Sequence, residues 1–343
     1  MHQAPRIALV GHGLVGRRHV RAMGAAGAEL AAIVEPAPDG ETPAPVFSSL
    51  DAMFEAEAPD AVILASPTPL HVEQALACIE REVPVLVEKP LAVTAAQGKR
   101  IVDAAAARNV PVLVGHHRRH NPLVAAAHEA VHTGRLGALR VAHAQCWFHK
   151  PQSYFDVALW RKQKGAGPVS VNLVHDVDLL RHLVGEIASV HARAAPSARG
   201  FENEDVAVAT FAFENGALGT ITVSDTVASP WSWELTAREH PIYPPTDQSC
   251  YLLGGTEASL SLPDLRLWSH ESEPDWWSPI AATALLRDAA DPLVRQIEHF
   301  ARVVAGTEAP LVSAAEGLRT LRVIEAIETS AREGRTVELS GAD

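Results

Sequence analysis

The sequence predicts an α/β protein of two domains. A doubly wound parallel sheet is expected over residues 1–120. An α/β domain with a large open, mostly antiparallel sheet is expected over 121–343, with terminal helices from about 291. Three observations carry this expectation. The chain has 343 residues, too many for one core of ~100–200 residues and suited to two. Residues 6–120 alternate short apolar runs with helical patterns. Beyond residue 120 that alternation gives way to proline, tryptophan and antiparallel strand signals.

The first five apolar runs are RIALV, ELAAIV, AVILA, VPVLV and VPVLVG, spaced by segments such as LVGRRHVRAMGAAG and LHVEQALACIERE. Fully apolar strands that alternate with helices belong to a parallel sheet covered on both faces. Thr94 with Gln97 three residues later is a capping-box pattern ahead of the alanine-rich run to Arg108, and Asn109 is a natural stop. Residues 90–93 are then a short strand-to-helix loop, and PAPDGETPAP at 36–45 is an exposed loop. In the second half, Asn215-Gly216 between two apolar runs marks a hairpin. LRVAHAQCWFH, SVHARAA, WSWELTA, SCYLLGG and ASLSLPDLRLW are further candidate strands. PLVRQIEHFARVVAG and AAEGLRTLRVIEAIETSARE read as amphipathic helices.

A net charge of −12 without a dense basic run argues against nucleic-acid binding; HHRRH at 116–120 is the nearest to a basic cluster. Cys78, Cys146 and Cys250 are odd in number and far apart, which points away from a disulfide framework or a CxxC metal site and towards a reducing cytoplasm. The N-terminus lacks the apolar core of a signal peptide, and no run approaches the ~20 apolar residues of a membrane span. A soluble, cytoplasmic chain is the expectation.

GHGLVG (Gly11, His12, Gly13, Leu14, Val15, Gly16) follows the first strand directly and opens a helical pattern. That context makes it a dinucleotide fingerprint of the Rossmann type. Gly11 allows the tight turn, Gly13 lets a pyrophosphate approach the backbone, and Gly16 permits close helix–strand packing. Glu35 ends the second strand about 20 residues on, where a carboxylate can accept from both adenine-ribose hydroxyls. It would repel a 2′-phosphate, and no Arg or Lys follows between Pro36 and Val46, so NAD is favoured over NADP.

Ligands of open parallel sheets bind beyond the carboxyl ends of the strands. Two stretches fall there, SPTPLH with Ser66, Pro67, Thr68 and His71, and Glu88-Lys89-Pro90. Together with GHGLVG and GAGPVSVNLVHDVDLLRHLVG, they resemble the glucose-fructose oxidoreductase / inositol dehydrogenase (Gfo/Idh/MocA) family of nicotinamide-dependent oxidoreductases. The resemblance spans most of the chain. It implies that Lys89 contacts substrate and nicotinamide, and that His175 of a DxGxHxxD-like motif is the general acid/base. Both residue types suit the chemistry. Oxidising a secondary alcohol requires loss of the hydroxyl proton, imidazole titrates near physiological pH, and an ammonium stabilises developing alkoxide. The resemblance also implies a possible cis Lys89-Pro90 bond, and places Trp160-Arg161 near cofactor and substrate. Arg119 matches an arginine that is structural or peripheral to the pocket.

One position departs from the family pattern. The aspartate expected four residues before the histidine is Val171, with Asn172 beside it and Asp176 after His175. Either Asn172 supplies a polar substrate contact or the chemistry has drifted. By helical period, Leu173, Val177, Leu180 and Val184 form an apolar stripe, with His175, Asp178 and His182 opposite, a face turned to solvent or to a site. Asp178 could orient the imidazole or bind substrate. A metal on this face is disfavoured, because the spacing is long for one ion and Lys89 would compete.

Short-chain, zinc and serine-nucleophile chemistries lack their residues: no Tyr has Lys four residues on, and GxSxG is absent. The expected reaction is hydride transfer between NAD and a hydroxyl carbon of a sugar, polyol or related polyhydroxylated small molecule, in a homodimer or homotetramer formed through the second sheet. A non-catalytic NAD(H)-binding sensor or scaffold is the alternative.

Overall fold

The structure, a computed structural model, describes residues 4–339. The elements before residue 121 are β1 (Arg6–Val10), α1 (Leu14–Ala25), β2 (Glu29–Val34), β3 (Val46–Phe47), α2 (Leu50–Ala56), β4 (Ala61–Leu64), α3 (His71–Glu80), β5 (Val85–Val87), α4 (Ala95–Arg108) and β6 (Val112–Val114). Next come α5 (Pro122–His132), β7 (Leu139–Trp147), α6 (Gln152–Asp156), α7 (Val174–Val184), β8 (Ile187–Pro196), β9 (Glu204–Phe213) and β10 (Leu218–Ser224). The last are α8 (Trp233–Thr236), β11 (Tyr251–Gly255), β12 (Ala258–Leu262), β13 (Arg266–Ser269), β14 (Ala281–Ala284), α9 (Pro292–Val304), α10 (Ala314–Glu333) and β15 (Val337–Glu338).

Two compact units result. One holds the chain up to Asn121 with Ala290–Leu321; the other holds Pro122–Ala289 with the chain from Arg322. In the first, six described strands run parallel in the order β3-β2-β1-β4-β5-β6. Strand β1 shows why its residues are unpatterned. Ile7 and Leu9 join one buried cluster with Met23 of α1, while Ala8 and Val10 join another with Val72 and Ile79 of α3. Both faces are covered, so every position is apolar.

The sequence places the terminal helices in the second domain, whereas α9 packs in the first unit. Its Leu293, Ile297, Phe300 and Val303 share the cluster that holds Ile7 and Leu9, and burial of that apolar stripe decides its placement.

In the second unit, nine described strands follow the order β14-β13-β12-β11-β7-β10-β9-β8-β15. Pairing is antiparallel except between β7 and β10. The Asn215-Gly216 turn joins β9 to β10, with Gly216 at φ +84°. WSWELTA is not a strand. Ser232 caps the short helix α8 by accepting from the Leu235 amide, and Trp233 is buried. Cap chemistry outweighs the alternating pattern there. The α4 signals behave as read: Thr94 accepts from the Gln97 amide, and Asn109 ends the helix in the left-handed region at φ +53°.

Candidate active site

In the first unit, the loops after β1, β4 and β5 are tied side by side at the carboxyl ends of the strands. The Ala65 amide donates to Val10, that of Glu88 to Leu64, and that of Gly115 to Val87. Gly11 has φ +89°, and a Cβ there would lie 2.7 Å from the Ala65 carbonyl oxygen. A Cβ on Gly16 would meet the Gly11 carbonyl at 2.0 Å. Gly13 is different. It caps α1 without a side-chain hydrogen bond, and a Cβ there would meet nothing within 4 Å. An open backbone at an uncapped helix start suits a pyrophosphate. Leu14 and Val15, which follow, are exposed.

Glu35 reaches back to this loop. One carboxylate oxygen accepts from the His12 amide at 2.9 Å, and the other from the Ala37 amide at 3.2 Å. His12 itself is buried. A cation that sequence reasoning missed lies close by: Arg17 donates to the carbonyls of His12 (3.2 Å) and Asp39 (3.1 Å). Its place four residues after Gly13, on the helix that the loop opens, was the available signal.

Pro67 is exposed and Thr68 begins a short 3-10 turn, while the Ser66 hydroxyl donates to Gln74 at 2.5 Å. His71 is buried, with Nδ1 3.0 Å from the Pro90 carbonyl oxygen and Nε2 2.9 Å from that of Ser66. Lys89 is half-buried, its amide donates to the Glu88 carboxylate at 3.1 Å, and the Lys89-Pro90 bond is cis. Glu88 also meets His19 Nε2 at 2.7 Å. Burial alone would raise the Glu88 pKa. The hydrogen bond and charge of His19, helped by His117 and Lys89, win and pull it down to about 2. Arg119 is buried and donates to Glu316 at 3.1 Å, a tie within the same unit.

In the second unit, His175 stands in the first turn of α7, just after the π-helical stretch Val169–Leu173 that carries Val171 and Asn172. The polar face does not turn to solvent: His175 and Asp178 are buried, and His182 is half-buried with its ring stacked 4.2 Å from that of His128; Asp176 and Arg181 of the same helix are buried too. Asp176 accepts from the Tyr251 hydroxyl, and Arg181 forms a two-pronged pair with Glu186 at 2.9 and 2.7 Å. Asn172 Oδ1 is buried without a hydrogen-bond partner among the described residues, an arrangement that is costly unless a further donor serves it.

Gly167 faces Glu204: a Cβ would fall 2.1 Å from Oε1, and the same oxygen accepts from the Val169 amide at 3.1 Å. Burial raises the Glu204 pKa. Trp160 is half exposed rather than packed in a core. Arg161 donates to the Tyr154 carbonyl at 2.7 Å and lies 4.2 Å over the Tyr154 ring. A charge cluster around a buried carboxylate, missed from sequence, meets the same Tyr154 ring through Lys150 (5.2 Å): Asp225 pairs with Arg199 at 2.7 Å and with Lys150 at 3.4 Å. Burial lowers the Lys150 pKa against the pull of Asp225.

Residues 5–116 match the oxidoreductase family with an NAD-binding Rossmann fold, and residues 124–260 match the GFO/IDH/MocA C-terminal domain. The chain belongs to the Gfo/Idh/MocA family. It is an oxidoreductase with an NAD-binding Rossmann unit. D-apiose dehydrogenase of Paraburkholderia graminis is 26% identical to this Gfo/Idh/MocA protein over 98% of this chain and 90% of its own. Inositol 2-dehydrogenase of Mycolicibacterium gilvum is 34% identical over 58% of each chain. The WlbA dehydrogenase of Bordetella pertussis, solved with NADH and UDP-GlcNAcA, is 27% identical and superposes with a TM-score of 0.78, covering 98% of this chain and 99% of its own. Among the described residues of this family member, no helix is long and apolar enough to cross a membrane.

Proposed function

We propose that this protein is an NAD-dependent dehydrogenase acting on a hydroxyl carbon of a sugar, polyol or related polyhydroxylated small molecule. The observation that carries the reading is Lys89 at the carboxyl end of β5, in a chain whose two parts both match the same oxidoreductase family. Gly11, His12, Gly13, Leu14, Val15 and Gly16 hold the pyrophosphate, Glu35 takes the ribose hydroxyls, and Ser66, Pro67, Thr68, His71 and Glu88 shape the nicotinamide end. NAD, when bound, supplies the hydride acceptor. Lys89 polarises the reacting oxygen, and His175 removes its proton. Asn172, Asp178, Trp160 and Arg161 contact the substrate, and the buried Asn172 Oδ1 is the acceptor best suited to a substrate hydroxyl.

Glu35 sets the preference for NAD, although Arg17 stands beside the same loop. Steady-state turnover of D-apiose, inositol and a wider polyol and sugar-acid panel with NAD and with NADP tests both points. Lys89→Ala is expected to lower kcat by on the order of 100-fold or more. Full turnover by that variant sinks the mechanism, and a preference for NADP sinks the role of Glu35.

Val171 favours a second reading, a non-catalytic NAD(H) sensor or scaffold, because the family's carboxylate is missing there. Tight NAD(H) binding with no turnover across the panel would decide for it. The protein acts in the cytoplasm as a homodimer or homotetramer through the second unit's sheet, where Val141, Val208, Leu218 and Leu252 are exposed. Light scattering of the eluted protein measures its mass, and a monomer rejects the assembly.

A further inference from the structure

We propose that His19 and His71 are positioning residues that hold Lys89 from either side, His19 through Glu88 and His71 through Pro90. The proposal rests on the reading of Lys89 as a catalytic residue. Strand β5 is only three residues long, and past Glu88 the chain leaves the sheet, so pairing alone does little to fix a lysine there.

Side chains supply what the short strand lacks. An ionised carboxylate only accepts hydrogen bonds, so His19 Nε2 donates to Glu88 across 2.7 Å. The other carboxylate oxygen accepts the amide of Lys89 at 3.1 Å. Glu88 therefore bridges α1 to the backbone of the lysine. The carboxylate lies close over Gly115, just past β6, where an added Cβ would stand 3.0–3.1 Å from its carbon and oxygens and crowd it.

On the far side of Lys89, the ring of His71 spans two carbonyls, Pro90 at 3.0 Å and Ser66 at 2.9 Å. Carbonyls also only accept, so a ring N–H donates to one of the two while the ring packs against the other. The ring thereby ties the loop after β4 to the loop after β5.

The two histidines come from opposite faces of the sheet. The α1 residues Ala22 and Met23 belong to the buried cluster on one face; the α3 residues Val72, Ala75, Cys78 and Ile79 belong to that on the other. Both imidazoles are buried, His19 fully. A lysine placed between two packed helices keeps its backbone still, and a displacement near 1 Å at a reacting group costs on the order of 100-fold in rate.

The test compares His19→Leu, His71→Leu and His19→Gln, which keeps an N–H towards Glu88, in the full chain with Lys89 intact and with Lys89→Ala. Hydrogen exchange read by mass spectrometry over residues 85–92 needs no substrate. It is expected to quicken in both leucine variants, with β1, β2 and α4 unchanged, and to recover in His19→Gln. Turnover is followed with NAD and inositol or D-apiose; kcat is expected to fall on the order of 100-fold, with no further fall when Lys89 is already alanine.

Unchanged exchange at 85–92, or an equal extra loss of kcat in the Lys89→Ala background, overturns the positioning role. Full turnover by Lys89→Ala alone overturns instead the catalytic reading of the lysine, and the exchange arm still decides whether the histidines hold the loop. Should a leucine variant fail to fold, His19→Ala and His71→Ala give the same exchange comparison, with His19→Gln again the variant that recovers.

Discussion

Glu88 and His19 are separated by 69 positions in sequence yet meet at 2.7 Å, and their pairing gives the first unit a defined acid response. The folded-state pKa of Glu88 lies near 2 against an ordinary 4.5. A depressed carboxylate stabilises the fold above its unfolded pKa and loses that stabilisation as pH falls through the folded value. The shift corresponds to on the order of 3 kcal/mol, expected to disappear between about pH 4.5 and 2. Denaturant unfolding across that window checks it: Glu88→Gln should be less stable at pH 7 and should lack this limb of the acid transition. His120 acts higher on the scale. Burial, with the charges of His299, His117, Arg119 and Arg302, lowers its pKa to about 3. A base held neutral in the fold but free to protonate when unfolded weakens the fold as pH drops below about 6.5. His120→Gln should flatten the stability curve between that pH and 3. The motif EKP was legible as a strand end that meets a cleft, because Pro90 restricts Lys89 locally. The partner of Glu88 was not, since nothing local in the chain joins it to α1.

Helix α9 shows how a correctly read element can be assigned to the wrong neighbour. Its amphipathic period is written in PLVRQIEHFARVV, and Asp291 caps it by accepting from the Leu293 amide. Which core receives that stripe depends on a fold completed far upstream. Phe300 is fully buried beside Ile7 and Leu9. Phe300→Ala is expected to cost about 3–5 kcal/mol, and hydrogen exchange should show the loss in β1 and β4 rather than in β9 and β10. The cluster at Asp225 offers the matching test in the second unit. This carboxylate is 2% exposed and is shared by Lys150 and Arg199. Asp225→Ala leaves the buried Lys150 and the half-buried Arg199 without their counter-charge and should cost about 3–5 kcal/mol, measured as a drop in the unfolding midpoint. Short elements were the hardest to read. β3 and β15 have two residues each, too few for any period to show, and WSWELTA alternates like a strand although Ser232 starts a helix.

Across the whole molecule, the strand order β3-β2-β1-β4-β5-β6 brings the loops after β1, β4 and β5 together in the first unit, the place where ligands of such sheets bind. All three cysteines are buried, and none forms a disulfide among the described residues; burial raises Cys78 to about 12. A thiol reagent should therefore label none of them in the native protein and all three after denaturation; fast native labelling would contradict the packing. The two-domain α/β class, the covered parallel sheet, the glycine loop and the lysine at a strand end were all determined within the amino-acid sequence, because apolar runs, glycine spacing and proline act over a few residues at a time. Only the tertiary structure decided that His19 and His71 bracket Lys89, that the polar side of α7 is buried, and that Arg17 stands beside the loop of Glu35. Those outcomes depend on contacts between segments distant in the chain, and no local pattern encodes which buried donor will meet which acceptor.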